Sequence, residues 1–134
     1  MTFFWLYLIT LPTLAVIDLV WIVGVAQSFY KAQLGSLLAT NTVWWAAAVF
    51  YLMYVAGLIF FVIQPAVEKQ SLAYAIFAGA FFGLIAYGTY DLTNLATTAN
   101  WPLTMTLVDM AWGTIAGGAI SGVVFYLATA VFGL

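Results

Sequence analysis

The chain has 134 residues, 67% of them hydrophobic and 4% charged, with a formal net charge of -2 at pH 7. Soluble domains carry roughly 25% charged residues, so this composition excludes a soluble fold and sets the class as integral membrane. Two basic residues, Lys31 and Lys69, leave no electrostatic footprint for nucleic acid. The absence of Cys and His excludes disulfides, thiolate metal sites and imidazole ligation of haem or chlorophyll, and no cofactor is expected.

The first apolar run, about 3–26, is interrupted only by Pro12 and Asp18. Two dozen helical residues rise about 36 Å, enough to cross a bilayer core with some tilt. Pro12 is expected to kink this helix, because it removes one backbone bond and crowds the preceding turn. The run lacks a basic n-region and outlasts a signal-peptide core, so it reads as a retained helix. The connection Gln27 to Asn41 carries Tyr30, Lys31 and Gln33 with the Leu34/Leu37/Leu38 spacing of a short interfacial helix. A second run, about 42–64, opens at Trp44-Trp45 and is closed by Pro65. After a loop holding Glu68 and Lys69 come a third run, about 72–97, and a fourth, about 103–132, separated by Asn100-Trp101-Pro102.

The prediction is an all-α, integral membrane four-helix transmembrane bundle forming one domain over 1–134. Its last two helices are antiparallel neighbours because the turn between them is so short. Four crossings put both termini and the Glu68–Lys69 loop on one face, side A. The Gln27–Asn41 connection and the Asn100–Pro102 turn lie on side B. Trp44, Trp45 and Trp101 fall at the side-B boundary, where indoles favour the headgroup level. One lysine on each side leaves the orientation undetermined.

Asp18, Asp91 and Asp109 sit inside these apolar runs. Counted from the side-B helix ends, all three lie roughly 9–12 Å deep, and Tyr51 falls near the same level. Intramembrane acids are costly unless paired, protonated or wet, which makes the layer a candidate site. On the fourth helix, Asp109 shares a stripe with Gly113, Gly117 and Ser121 at four-residue intervals, the pattern of a close helix-packing face, so Asp109 points inward. On the third, Tyr87, Asp91, Asn94 and Thr98 form one polar face. Asp18 and Trp21, like Asp109 and Trp112, are three residues apart, so each indole is placed to donate to its own helix's carboxylate. Asn94 stands in the same relation to Asp91. With no Lys, Arg or His in any of the four predicted crossings, three carboxylates in one slab cannot all be charged. Protons or a bound cation must make up the difference.

The string Gly83-Leu84-Ile85-Ala86-Tyr87-Gly88-Thr89-Tyr90-Asp91-Leu92-Thr93-Asn94, continued by Asn100-Trp101-Pro102-Leu103 and by Val108-Asp109-Met110-Ala111-Trp112-Gly113-Thr114, resembles a bacterial family of small membrane proteins, Domain of Unknown Function 2177. The resemblance extends to Asp18 and Trp21 and covers essentially the whole chain. It implies a four-helix bacterial inner-membrane protein and assigns no catalytic residue.

Several functions fit these residues. The layer is a hydrogen-bonded structural lock, or it binds, and in one version translocates, a proton, a cation or a small polar or lipidic ligand. The leading expectation is the ligand site, formed by Asp18, Asp91 and Asp109 with Asn94, Tyr51, Tyr87, Trp21 and Trp112. The identity of any metal is open. Tyr87, Tyr90 and Trp112 border the acids and suit an organic cation by cation–π contact. The alternative is a non-enzymatic accessory subunit of a larger membrane complex, docking through an exposed small-residue stripe. A lipid-modifying enzyme with paired acids comes third, since no nucleophile or metal-ligand set accompanies the aspartates. Expected partners are membrane lipids and either further copies of the chain or a larger complex.

Overall fold

The structure, a computed structural model, describes residues 2–134. Four helices are long and apolar enough to cross a membrane: α1 (Thr2–Leu37), α2 (Trp44–Lys69), α3 (Leu72–Thr97) and α4 (Leu103–Val131). The all-α membrane bundle follows from these spans.

Two helices run further than the sequence predicts. α1 does not stop at Ala26 but continues through Leu34, so the expected interfacial helix is the extension of the first span. The stretch Gln27–Leu34 holds no Gly or Pro to break it. The α-helical part of α1 gives way to a closing 3-10 turn at Gly35, whose φ of 53° and ψ of -119° suit only a residue without Cβ. At 36 residues α1 would rise about 54 Å, beyond a hydrocarbon core of about 30 Å. Its polar last turns run on along a cavity at side B.

α2 likewise passes through Pro65 to Lys69 rather than closing there. A π-helical turn at Ile59–Ile63 precedes the proline and loosens the backbone that its ring would crowd. Proline cannot donate to the carbonyl four residues earlier, and that carbonyl, on Phe61, accepts from the Tyr74 hydroxyl at 3.3 Å. The α2–α3 turn then satisfies its own ends. Gln70 in the left-handed region sends its N–H to Val67, Ser71 sends its N–H to Ala66, and the Ser71 hydroxyl caps Tyr74 N–H at 3.0 Å.

α3 and α4 pack closest. A methyl built on Gly83 would overlap the Gly113 carbonyl, and one on Gly117 the Gly79 carbonyl, so backbone meets backbone along the seam. Gly113, Gly117 and Ser121 are all buried there, against Tyr87, Gly79 and Gly83. The apolar core fills the side-A half: Leu6 from α1, Val55, Leu58, Ile59 and Ile63 from α2, Ala75 from α3 and Ile120 and Val124 from α4. Toward side B, α2 buries nothing before Tyr54, and α1 buries nothing between Leu14 and Ala26. There the four helices enclose open space beside the α3–α4 hairpin.

Candidate functional site

The space left at the side-B end is a cavity of about 650 Å³. α1 lines it with Asp18, Trp21, Ile22, Ala26, Gln27, Tyr30 and Lys31, a face that runs unbroken from the span into its extension. The π-helical turn at Ile22–Ala26 lies within that face, and such turns are frequent at functional sites. α2 adds Phe50 and Tyr51, α3 adds Ala86, Tyr87 and Tyr90, and α4 adds Asp109 and Trp112. Leu38, Ala39 and Thr42, from the segment joining α1 to α2, complete the wall.

The carboxyls in this wall are held by tyrosines. Asp18 Oδ2 accepts from the Tyr51 hydroxyl at 2.5 Å, across from α2 to α1. Asp109, 7% exposed, accepts from the Tyr30 hydroxyl, and Tyr30 in turn accepts from Trp21 Nε1 at 3.2 Å. The expected indole-to-carboxylate bonds within each helix are not made. Instead, the Trp21 and Trp112 rings stack face to face across α1 and α4, with centroids 4.5 Å apart and planes 4° from parallel. Stacking turns Trp21 Nε1 toward Tyr30 and leaves Trp112 Nε1 buried without a partner among the described residues.

The three aspartates do not share one wall. Asp18 and Asp109 open onto the cavity, whereas Asp91 is fully buried and absent from its lining. Tyr87 packs on Gly113 across the antiparallel seam. One turn further toward side B on both helices, the same register sets Asp91 against Asp109. Both Asp91 oxygens lack a donor.

Asn94 stands apart from the site: its amide donates to the Tyr90 carbonyl at 2.9 Å and its oxygen accepts from Thr98, both on its own helix end. Among the described residues no group of three or more Asp, Glu, His or Cys is placed to hold a metal ion. Tyr30 is the principal residue that the sequence reading left out of the site. The signal was present, because Asp18, Ile22, Ala26 and Tyr30 recur at four-residue steps once α1 is carried past Ala26.

This arrangement combines seven aromatic side chains, Trp21, Tyr30, Phe50, Tyr51, Tyr87, Tyr90 and Trp112, with two carboxyls. One cation, Lys31, also lines the cavity. Such a wall can neutralise a positive group by charge and by ring faces while excluding bulk water from its apolar parts.

Fold and site together define a small polytopic integral membrane protein with an acidic, aromatic-walled cavity at one end of a four-helix bundle. Over residues 3–127 the chain matches the family described as predicted membrane protein, Domain of Unknown Function 2177, and it belongs to that family. No curated protein and no solved structure matches it.

Proposed function

We propose that this protein binds an organic ammonium ion or a ligand bearing one, in the side-B cavity, as a small binding protein or carrier of a bacterial inner membrane. The observation that carries this reading is the placement of Asp18 and Asp109 on one cavity that seven aromatic side chains also line. A quaternary or primary ammonium gains from both: Coulomb attraction to a carboxylate and contact with the negative face of a ring, the latter about 0.5–2 kcal/mol. The volume falls within the range of small-molecule sites, about 300–1,000 Å³. A bare alkali cation would use the carboxylates but not the rings.

The accessory-subunit reading is not favoured. The stripe on which such docking would depend, Gly113, Gly117 and Ser121, is consumed inside the α3–α4 seam.

The test is a titration of benzyltrimethylammonium into the protein in lipid nanodiscs, followed by quenching of tryptophan emission from the stacked Trp21–Trp112 pair. Saturable quenching is expected, and Asp109→Asn should weaken it about 10- to 100-fold, corresponding to about 1.4–2.8 kcal/mol for a charged partner. Sodium should not compete at matched ionic strength. Equal affinity in wild type and in Asp109→Asn and Asp18→Asn would overturn the reading.

A further inference from the structure

Asp91 poses a question that cation binding leaves open. It is 0% exposed, neither of its oxygens has a donor, and it does not touch the cavity. Its opposite number across the seam, by the register that sets Tyr87 on Gly113, is Asp109, itself an acceptor toward Tyr30. Two ionised carboxylates in contact, in a low-dielectric interior, cannot both persist. A single proton between them turns two acceptors into a donor and an acceptor, and gives Asp91 the partner it lacks.

We propose that Asp91 and Asp109 share one proton when the cavity is empty, and that an ammonium ligand binding at Asp109 displaces it, so that the protein exchanges a cation for a proton. The proposal rests on the ammonium-binding reading above. The step balances: the carboxyl pair goes from one proton and one negative charge to two negative charges, the ligand brings one positive charge, and the proton leaves to water. The charge of the layer is therefore the same before and after. Asp109 is the exit, because it alone of the pair opens onto the cavity. Asp91 is a positioning and proton-holding residue that never meets the ligand.

The groups facing this pair are consistent with that role. Tyr30 from α1 donates to Asp109, and Tyr87 and Tyr90 from α3 lie nearby. α2 contributes Tyr51, which is bonded to Asp18 on α1. Lys31 is the basic residue on the cavity wall. Among the described residues Asp91 has no partner and Asp109 has the Tyr30 hydroxyl, so the compensating positive charge is the shared proton or a ligand.

Two measurements on the same nanodisc sample separate this proposal from the reading beneath it. Infrared difference spectroscopy at pH 7 reads the C=O stretch of a protonated carboxyl, identified by its shift in deuterium oxide. The band is expected in wild type and in Glu68→Gln, to be lost in Asp91→Asn, and to shift in Asp109→Asn, where the buried Asp91 carboxyl changes partner; either variant suffices if the other does not fold. Titration with benzyltrimethylammonium should remove the band in parallel with tryptophan quenching and release about one proton per bound cation into weakly buffered solution. The affinity should rise with pH, because the shared proton and the cation compete for the same carboxyl pair. A band missing from the ligand-free wild type, or unchanged in both variants, overturns the shared proton. Quenching that saturates while the band persists overturns the exchange and leaves cation binding intact. Absence of any quenching overturns the binding reading, and the exchange with it.

Discussion

The two ends of the bundle are built from the same kinds of residue and end up differently. At side A, Leu6, Leu58, Ile59 and Val124 are fully or nearly fully buried, and four helices meet around them. At side B the α3–α4 hairpin stays tight, α1 meets it through the Trp21–Trp112 stack and the Tyr30–Asp109 bond, and the space left between the helices carries carboxyls and aromatic rings. The difference teaches where the fold's stability is concentrated. In a bilayer, lipid tails are as apolar as Leu, so helices associate through close packing and interhelical polar bonds rather than through hydrophobic exclusion. The glycine seam and the side-A core supply that packing, which leaves the side-B half free to be hollow and polar.

The strongest way to break this division is to fill the seam. Gly117→Leu sets a branched side chain against the Gly79 carbonyl, backbone that cannot yield as a side chain would. Overpacking of this kind costs about 3 kcal/mol or more, and thermal unfolding in detergent should show loss of the folded bundle. Next comes the side-A core. Leu58→Ala leaves a void at a fully buried site and should destabilise by about 2–5 kcal/mol, with cation quenching retained in the fraction that stays folded.

The smallest stability effect belongs to the hollow end. Tyr30→Phe removes the donor to Asp109 and the acceptor for Trp21 at a half-buried site, about 1 kcal/mol, yet cation affinity should fall several-fold because Asp109 loses the bond that holds its charge. A reversed order, with Tyr30→Phe unfolding the protein and Leu58→Ala sparing it, would mean that the two ends do not divide stability and binding between them.

Legibility from sequence followed the same division. The small-residue spacing from Asp109 through Gly113, Gly117 and Ser121 located the tight seam, because helix periodicity is local and glycine's effect on approach distance needs no partner to be stated. The depth of the aspartates was likewise computable from residue counts. Depth is not direction, however. Nothing in the spacing of Asp91 separates a cavity wall from the far side of the neighbouring carboxyl, and nothing in Asp18-Leu19-Val20-Trp21 tells an indole to stack on Trp112 instead of bonding its own helix's acid. Those outcomes depend on the angle at which α1 and α2 leave the hairpin, which is a sum over contacts between distant residues.

The chain's composition and periodicity, by themselves, determined that this is a four-helix membrane bundle with an acidic layer and a glycine-packed last hairpin, since apolar run length and small-residue spacing act within one helix at a time. Only the tertiary structure decided that α1 extends over the layer to bring Tyr30 onto Asp109, that Asp18 and Asp109 share a cavity, and that Asp91 is sealed behind it. Each of these is a relation between side chains on different helices, and such relations are set by packing geometry rather than by order along the chain.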